Sequence, residues 1–108
     1  QIGTPTYASD LAEVILKIID SNKFFGCSRP SEIFNFSNDG ECSWFDFARE
    51  IIDFSGEDCT VNPILSEQYS QKAHRPRYTV LSKDKISNEF NLKIRYWKDA
   101  LTICLNNL

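Results

Sequence analysis

The chain has 108 residues, 42% hydrophobic and 13% aromatic, with 12 Lys+Arg against 15 Asp+Glu for a net charge of −3. This length suits one unit able to bury roughly 60–70% of its unfolded surface, and the acidic balance argues against nucleic acid as a partner, which needs a cationic face. The longest nearly apolar run, LAEVILKII, is broken by charges and too short for a bilayer, and no signal-peptide or lipidation pattern is visible, so no membrane partner is expected.

The first predicted element is a helix capped by Ser9 or Asp10, with Glu13 placed for a capping box on Asp10. Leu11, Val14, Ile15, Ile18 and Ile19 recur at helical spacing and predict one buried stripe. Gly26 and Pro30 break the chain after it. EIFNFS (32–37) alternates loosely and predicts a short strand, and NDG (38–40) a turn. Ser43 opens a second helix with Asp46 in its first turn, where the helix dipole favours an anion, and Gly56 ends it. Trp44, Phe47, Ala48, Ile51 and Ile52 form its apolar face, and Trp44 is read as core.

TVNPIL (60–65) is extended, with Pro63 marking an edge or irregular strand. Residues 66–78 have no period and predict a loop; a short helix capped by Ser82 follows. A last helix from about Arg95 carries Trp97, Ala100, Leu101, Cys104, Leu105 and Leu108 on one face. The fold class is α+β: about four helices with two or three short strands, too few for a sheet of their own. The chain has no methionine and opens QIGTPTY, so it is expected to be a single unit, 1–108, of a longer protein. Its strands would then pair with others outside it, or with another copy of the chain.

Cys27, Cys42, Cys59 and Cys104 form no CxxC pair, and long amphipathic helices supply a core without staples. Four reduced thiols in a cytoplasmic protein is the reading this favours. One histidine and scattered thiols offer no metal-ligand spacing. Signatures of chemistry are also missing. Gly3, Gly26, Gly40 and Gly56 are too dispersed for a dinucleotide cradle. No tyrosine has a lysine four residues on, and no Ser/His/Asp set is apparent. No catalytic residue is therefore assigned. What stands out is AHRPRYTVLSKDK (73–85), where Arg75, Arg77 and the lone His74 crowd around Pro76.

Five short patterns occur in one order: Pro5-Thr6 before Asp10-Leu11-Ala12, Phe34 to Gly40, Ser43-Trp44, Arg75-Pro76 leading to Leu81, and Trp97. In that order they resemble the C-terminal portion of the dTDP-4-dehydrorhamnose reductase family, extended short-chain dehydrogenases/reductases of α/β Rossmann type. The resemblance implies a two-part enzyme. An N-terminal Rossmann part, absent from this chain, would bind NADPH and carry the catalytic Tyr and Lys. The present chain would close over a dTDP-4-keto-6-deoxy-hexose on the way to dTDP-L-rhamnose, and would be inactive alone. A homodimer is compatible with this reading. So are a non-catalytic homologue, like the regulatory subunit of methionine adenosyltransferase, and another nucleotide-sugar epimerase or dehydratase. A free-standing interaction module is the remaining alternative.

The resemblance assigns Arg75 to the substrate diphosphate. A guanidinium presents a fixed fork of donors to phosphate oxygens, and Pro76 biases Arg75 toward extended backbone. Arg77 is a second phosphate ligand or a surface charge, and the sequence departs here from family versions with glycine after the proline. Gln1 and Thr4 fall where the family's chain passes the sugar nucleotide. His74 is read as a loop residue, Tyr78 as core with stacking on a base or sugar as its alternative, and Trp97 as core. If the cysteine reading holds, all four thiols titrate as free under denaturing, non-reducing conditions. Two or none would indicate an oxidising compartment.

Overall fold

In the computed structural model, the described residues are 1–21, 23, 31–70 and 72–108. Their elements run β1 (Ile2–Gly3), α1 (Ala8–Asp20), β2 (Cys42–Ser43), α2 (Trp44–Ser55), a 3-10 turn (Ser66–Gln68), α3 (Asp84–Phe90) and α4 (Trp97–Asn106). The core is small. Cys42, Trp97 and Leu101 are buried together, with Phe47, Ile51 and Leu105 packed against them from α2 and α4. The Cα radius of gyration is 17.1 Å, against about 13 Å for a compact chain of this length. Much of the apolar surface therefore lies outside a common centre.

Helix α2 follows its sequence signals closely. The Ser43 hydroxyl accepts from the Asp46 N–H at 3.1 Å, and the Asp46 carboxylate accepts from the Ser43 N–H at 2.9 Å, a reciprocal capping box. The Ser43 hydroxyl, donating to that carboxylate at 2.6 Å, and the Ser43 N–H together hold the Asp46 carboxyl below the ordinary value of 3.8. A lowered carboxylate stabilises the fold fully above its unfolded value, and the contribution is lost as pH falls through the lower folded value. Gly56 ends the helix at φ 69°, its N–H donating to the Ile52 carbonyl at 3.0 Å.

Helix α1 departs from expectation at both its start and its face. It begins at Ala8, after Tyr7, with no side-chain cap of its own. The cap comes from elsewhere in the chain: the Tyr7 N–H donates to Asn38 Oδ1 at 2.7 Å. Asp10 is buried in the first turn and accepts from Asn38 Nδ2 at 2.6 Å and from the Arg95 guanidinium. A carboxylate engaged this way cannot cap its own helix. Of the predicted buried stripe only Val14 is buried and Ile18 half-buried, while Leu11, Ile15 and Ile19 stay more than a third exposed. Helical period makes the stripe, but burial needs another element laid over it, and the described residues supply little.

The strands also differ from expectation. EIFNFS and TVNPIL contain no ladder among the described residues. Phe34 instead meets the Phe90 ring edge-on at 5.4 Å, and Ile64 and Leu65 are exposed. Alternation predicts extended backbone, yet a strand also needs a neighbour to exchange hydrogen bonds with. The one ladder of named strands among the described residues joins two-residue segments: β1 pairs antiparallel with β2, Ile2 opposite Ser43 and Gly3 opposite Cys42. On its other side Ile2 bridges Tyr78, its N–H donating to the Arg77 carbonyl and its carbonyl accepting from the Thr79 N–H, both at 2.8 Å. Helix α3 starts at Asp84 after Lys83, without a Ser82 cap, and α4 starts at Trp97.

The 37–40 turn joins these parts. Asn38 is fully buried, and its amide also donates to the Arg95 carbonyl at 3.3 Å. Asp39 exchanges backbone hydrogen bonds with the α4 approach, from its N–H to the Arg95 carbonyl at 2.8 Å and from the Trp97 N–H to its carbonyl at 3.0 Å. Gly40 has φ 83°, and a Cβ there would collide with the Tyr96 ring. Cys42 is buried, Cys59 exposed and Cys104 half-buried, all as free thiols. Cys27, with Gly26 and Pro30, lies outside the described residues. Replacing Asn38 by alanine should lower stability by about 2–3 kcal/mol, because it strips a buried carboxylate and a helix N–H of their partner. Asn38→Asp should cost more, by setting a second carboxylate against Asp10. Urea midpoints of the three proteins test this, and an unshifted midpoint for Asn38→Ala would refute the role given to the turn.

Candidate functional site

The hydrogen bonds of Ile2 bring three distant segments side by side: the chain start, the β2–α2 junction and residues 75–79. A cleft of about 420 Å³ opens where they meet, within the usual range for small-molecule sites. Gln1 and Thr4 line it from one side, Ser43, Trp44 and Phe47 from another, and Arg75, Pro76 and Thr79 from the third. Its lining contains one cation and no carboxylate, in a chain of net charge −3. That electrostatic character suits an anion.

The four residues singled out from the sequence fare differently. Arg75 is exposed and lines the cleft, and no carboxylate among the described residues forms an ion pair with it. Arg77 does not line the cleft. Its side chain is 91% exposed and its guanidinium lies 3.9 Å from Glu67, a loose surface pair of little energetic weight. Thr4 lines the cleft, with its hydroxyl donating to the Gly40 carbonyl at 2.6 Å. The oxygen's lone pairs remain as acceptors. Gln1 also lines the cleft, and its amide nitrogen donates to the Ser66 hydroxyl at 3.3 Å.

Two aromatic residues read as core are not buried. Tyr78 is 60% exposed, and its hydroxyl donates to Glu41 at 2.8 Å, which raises its pKa above the ordinary value. Trp44 is 68% exposed at the cleft, while Trp97 is only 2% exposed, as its helix face predicts. What separates them is position in space and not in the helix, because each is the first residue after its helix cap and only Trp97 is packed against Cys42 and Leu101. His74 is exposed and does not line the cleft. Cys42 does line it, but burial pushes its thiol pKa up, which keeps it neutral and unsuited to nucleophilic attack.

Nothing described offers a dinucleotide cradle. Gly3 and Gly40 are tight against Thr79 and the Tyr96–Trp97 pair, so their missing side chains serve internal packing. Gly56 ends a helix in open space. Among the described residues no group of three His, Cys, Asp or Glu could hold a metal ion, and no helix is long and apolar enough to cross a membrane.

Comparison with known proteins identifies relatives of the whole chain. The chain is 40% identical over 101 residues to the spore coat polysaccharide biosynthesis protein SpsK of Bacillus subtilis, covering 94% of this chain and 32% of that protein. It is 36% identical over 102 residues to the dTDP-4-dehydrorhamnose reductase of Mycolicibacterium smegmatis, covering 94% of this chain and 29% of that one. A crystal structure of dTDP-4-dehydrorhamnose reductase from Bacillus anthracis, in complex with NADP, superposes with a TM-score of 0.88 at 29% identity. It covers 100% of this chain and 36% of the other. The chain thus spans about a third of the length of these relatives. The family model for the RmlD substrate binding domain matches residues 1–108, and the chain belongs to that family.

Proposed function

We propose that the chain is the sugar-nucleotide-binding part of a longer NADPH-dependent dTDP-4-dehydrorhamnose reductase, working in the cytoplasm on a dTDP-4-keto-6-deoxy-hexose. A homodimer of the complete protein belongs to the same proposal. The observation that carries it is the cleft of a substrate-binding domain whose lining has Arg75 as its single charged residue. A nucleotide sugar joins two ring systems through an anionic diphosphate, and that is the group a guanidinium recognises best. Arg75 would take the diphosphate oxygens, with its backbone restricted by Pro76. The acceptor oxygens of Thr4 and Gln1 would meet hydroxyl or imide donors of the ligand. Arg77 would act as a peripheral charge, outside the cleft.

In this reading hydride comes from a cofactor held by a preceding part of the protein. The residues of this chain bind and orient the substrate; they perform no bond-breaking step. Binding energy gathered away from the reacting carbon then serves to position it.

The test uses the complete protein, following NADPH oxidation with the dTDP-4-keto sugar. Arg75→Ala should weaken substrate binding by about 1.5–3 kcal/mol, the range for a hydrogen-bonded charge. Arg75→Lys should recover only part of that, because an ammonium lacks the fork. The KM for NADPH should stay near its original value. An unaltered substrate KM in Arg75→Ala would sink the anion-site assignment. The 108-residue chain alone should neither bind NADPH nor oxidise it in the presence of the sugar nucleotide, and turnover by it would refute the division of labour.

A further inference from the structure

The role given to Arg75 leaves the most unusual side chain of the cleft unexplained. Trp44 is 68% exposed, although an indole gains more from burial than almost any other side chain. The ring is nonetheless held in place. Phe47 meets it edge-on at 6.2 Å and 71°, and Phe47 itself lies 6.2 Å from the buried Trp97 at 60°. The Ser43–Asp46 capping box and the pairing of Ser43 with Ile2 fix the backbone directly before it. An aromatic surface braced from the core and open to the cleft is costly in water and well suited to receive a flat ring.

We infer that Trp44 is a stacking platform for the pyrimidine base of the nucleotide sugar, a binding residue that sets the register of the ligand along the cleft. The inference rests on the sugar-nucleotide reading and deepens it. Two parts of such a ligand could lie on an indole, the base or the hexose. The hexose carbon that is reduced has to reach a hydride donor, and the described residues form no cradle for one. The sugar end therefore points away from this chain's cleft, and the nucleoside end stays on it. Arg75 and Trp44, both on the cleft lining, then divide the ligand between a charged group and a planar one. Base stacking of this kind tolerates any aromatic partner but does not survive loss of the ring.

Calorimetric titration of the complete protein with dTDP and, separately, with inorganic pyrophosphate tests this. Trp44→Ala should raise the Kd for dTDP by about 5- to 100-fold, the range for loss of one stacked base. Trp44→Phe should restore most of the affinity, and the Kd for pyrophosphate should not move in either variant. If Trp44→Ala weakens dTDP and pyrophosphate equally, Trp44 only shapes the anion site and the inference fails. It also fails if Trp44→Ala weakens the dTDP-sugar but not dTDP, which would put the hexose on the indole. Unchanged dTDP binding in Trp44→Ala overturns the inference and leaves the sugar-nucleotide reading intact. A wild-type protein that does not bind dTDP overturns both.

Discussion

Asn38 and the two charges beside it, Asp10 and Arg95, hold together segments that lie far apart in the chain. Asn38 is fully buried, and a buried amide is tolerable only when its donors and acceptors are met. Here they are: Oδ1 caps α1 at Tyr7, while Nδ2 reaches the Asp10 carboxylate and the Arg95 carbonyl. The carboxylate is buried as well, and the Arg95 guanidinium neutralises it. Removing one partner of such a set leaves another charge or dipole exposed to a low dielectric, so the three behave as a unit. Lys83, whose side chain is almost buried, lies 3.6 Å from Asp39 and brings the α3 approach to the same turn.

From that turn the cleft follows by short steps. Asp39 carries α4 through the Arg95 and Trp97 backbone, which seats Trp97 in the core. Gly40 lies close against the Tyr96 ring and accepts from the Thr4 hydroxyl at its carbonyl, which ties down the first residues. Ile2 then lies between β2 and the 77–79 segment, with hydrogen bonds on both sides. Arg75 and Pro76 are thereby delivered to the cleft from a stretch with no regular structure of its own. A substrate cation placed on a loop can still be well positioned when the residues just after it are tied into a ladder.

The energetic weight of the molecule is uneven. The α2–α4 contact with Cys42, Trp97 and Leu101 is closely packed, and Lys98 reaches Glu50 across it at 2.8 Å. That surface pair adds little beside the buried area. Helix α1, in contrast, has a strong apolar face that is largely open, and its attachment depends on polar contacts at its first turn. A helix held mainly at one end answers to the geometry of that end. The Asn38 network therefore matters more to the position of α1 than its apolar period does.

Local chemistry alone determined much of this protein. Ser43, Asp46 and Gly56 specify the ends of α2, because caps act within one turn of backbone. The apolar period specifies three of the four helices, and the order of five short patterns specifies the family. The Arg-Pro element marked a cation beside a constrained backbone, and Arg75 is on the cleft lining. Tertiary structure decided the rest. Whether EIFNFS becomes a strand depends on a partner that local alternation does not contain. Whether Asp10 caps its helix depends on Asn38 and Arg95, which lie 28 and 85 residues away in sequence. Trp44 and Trp97 each lead an apolar helix face, yet one is open and the other buried. Burial is a property of what lies opposite a side chain, and sequence spacing records only what lies beside it.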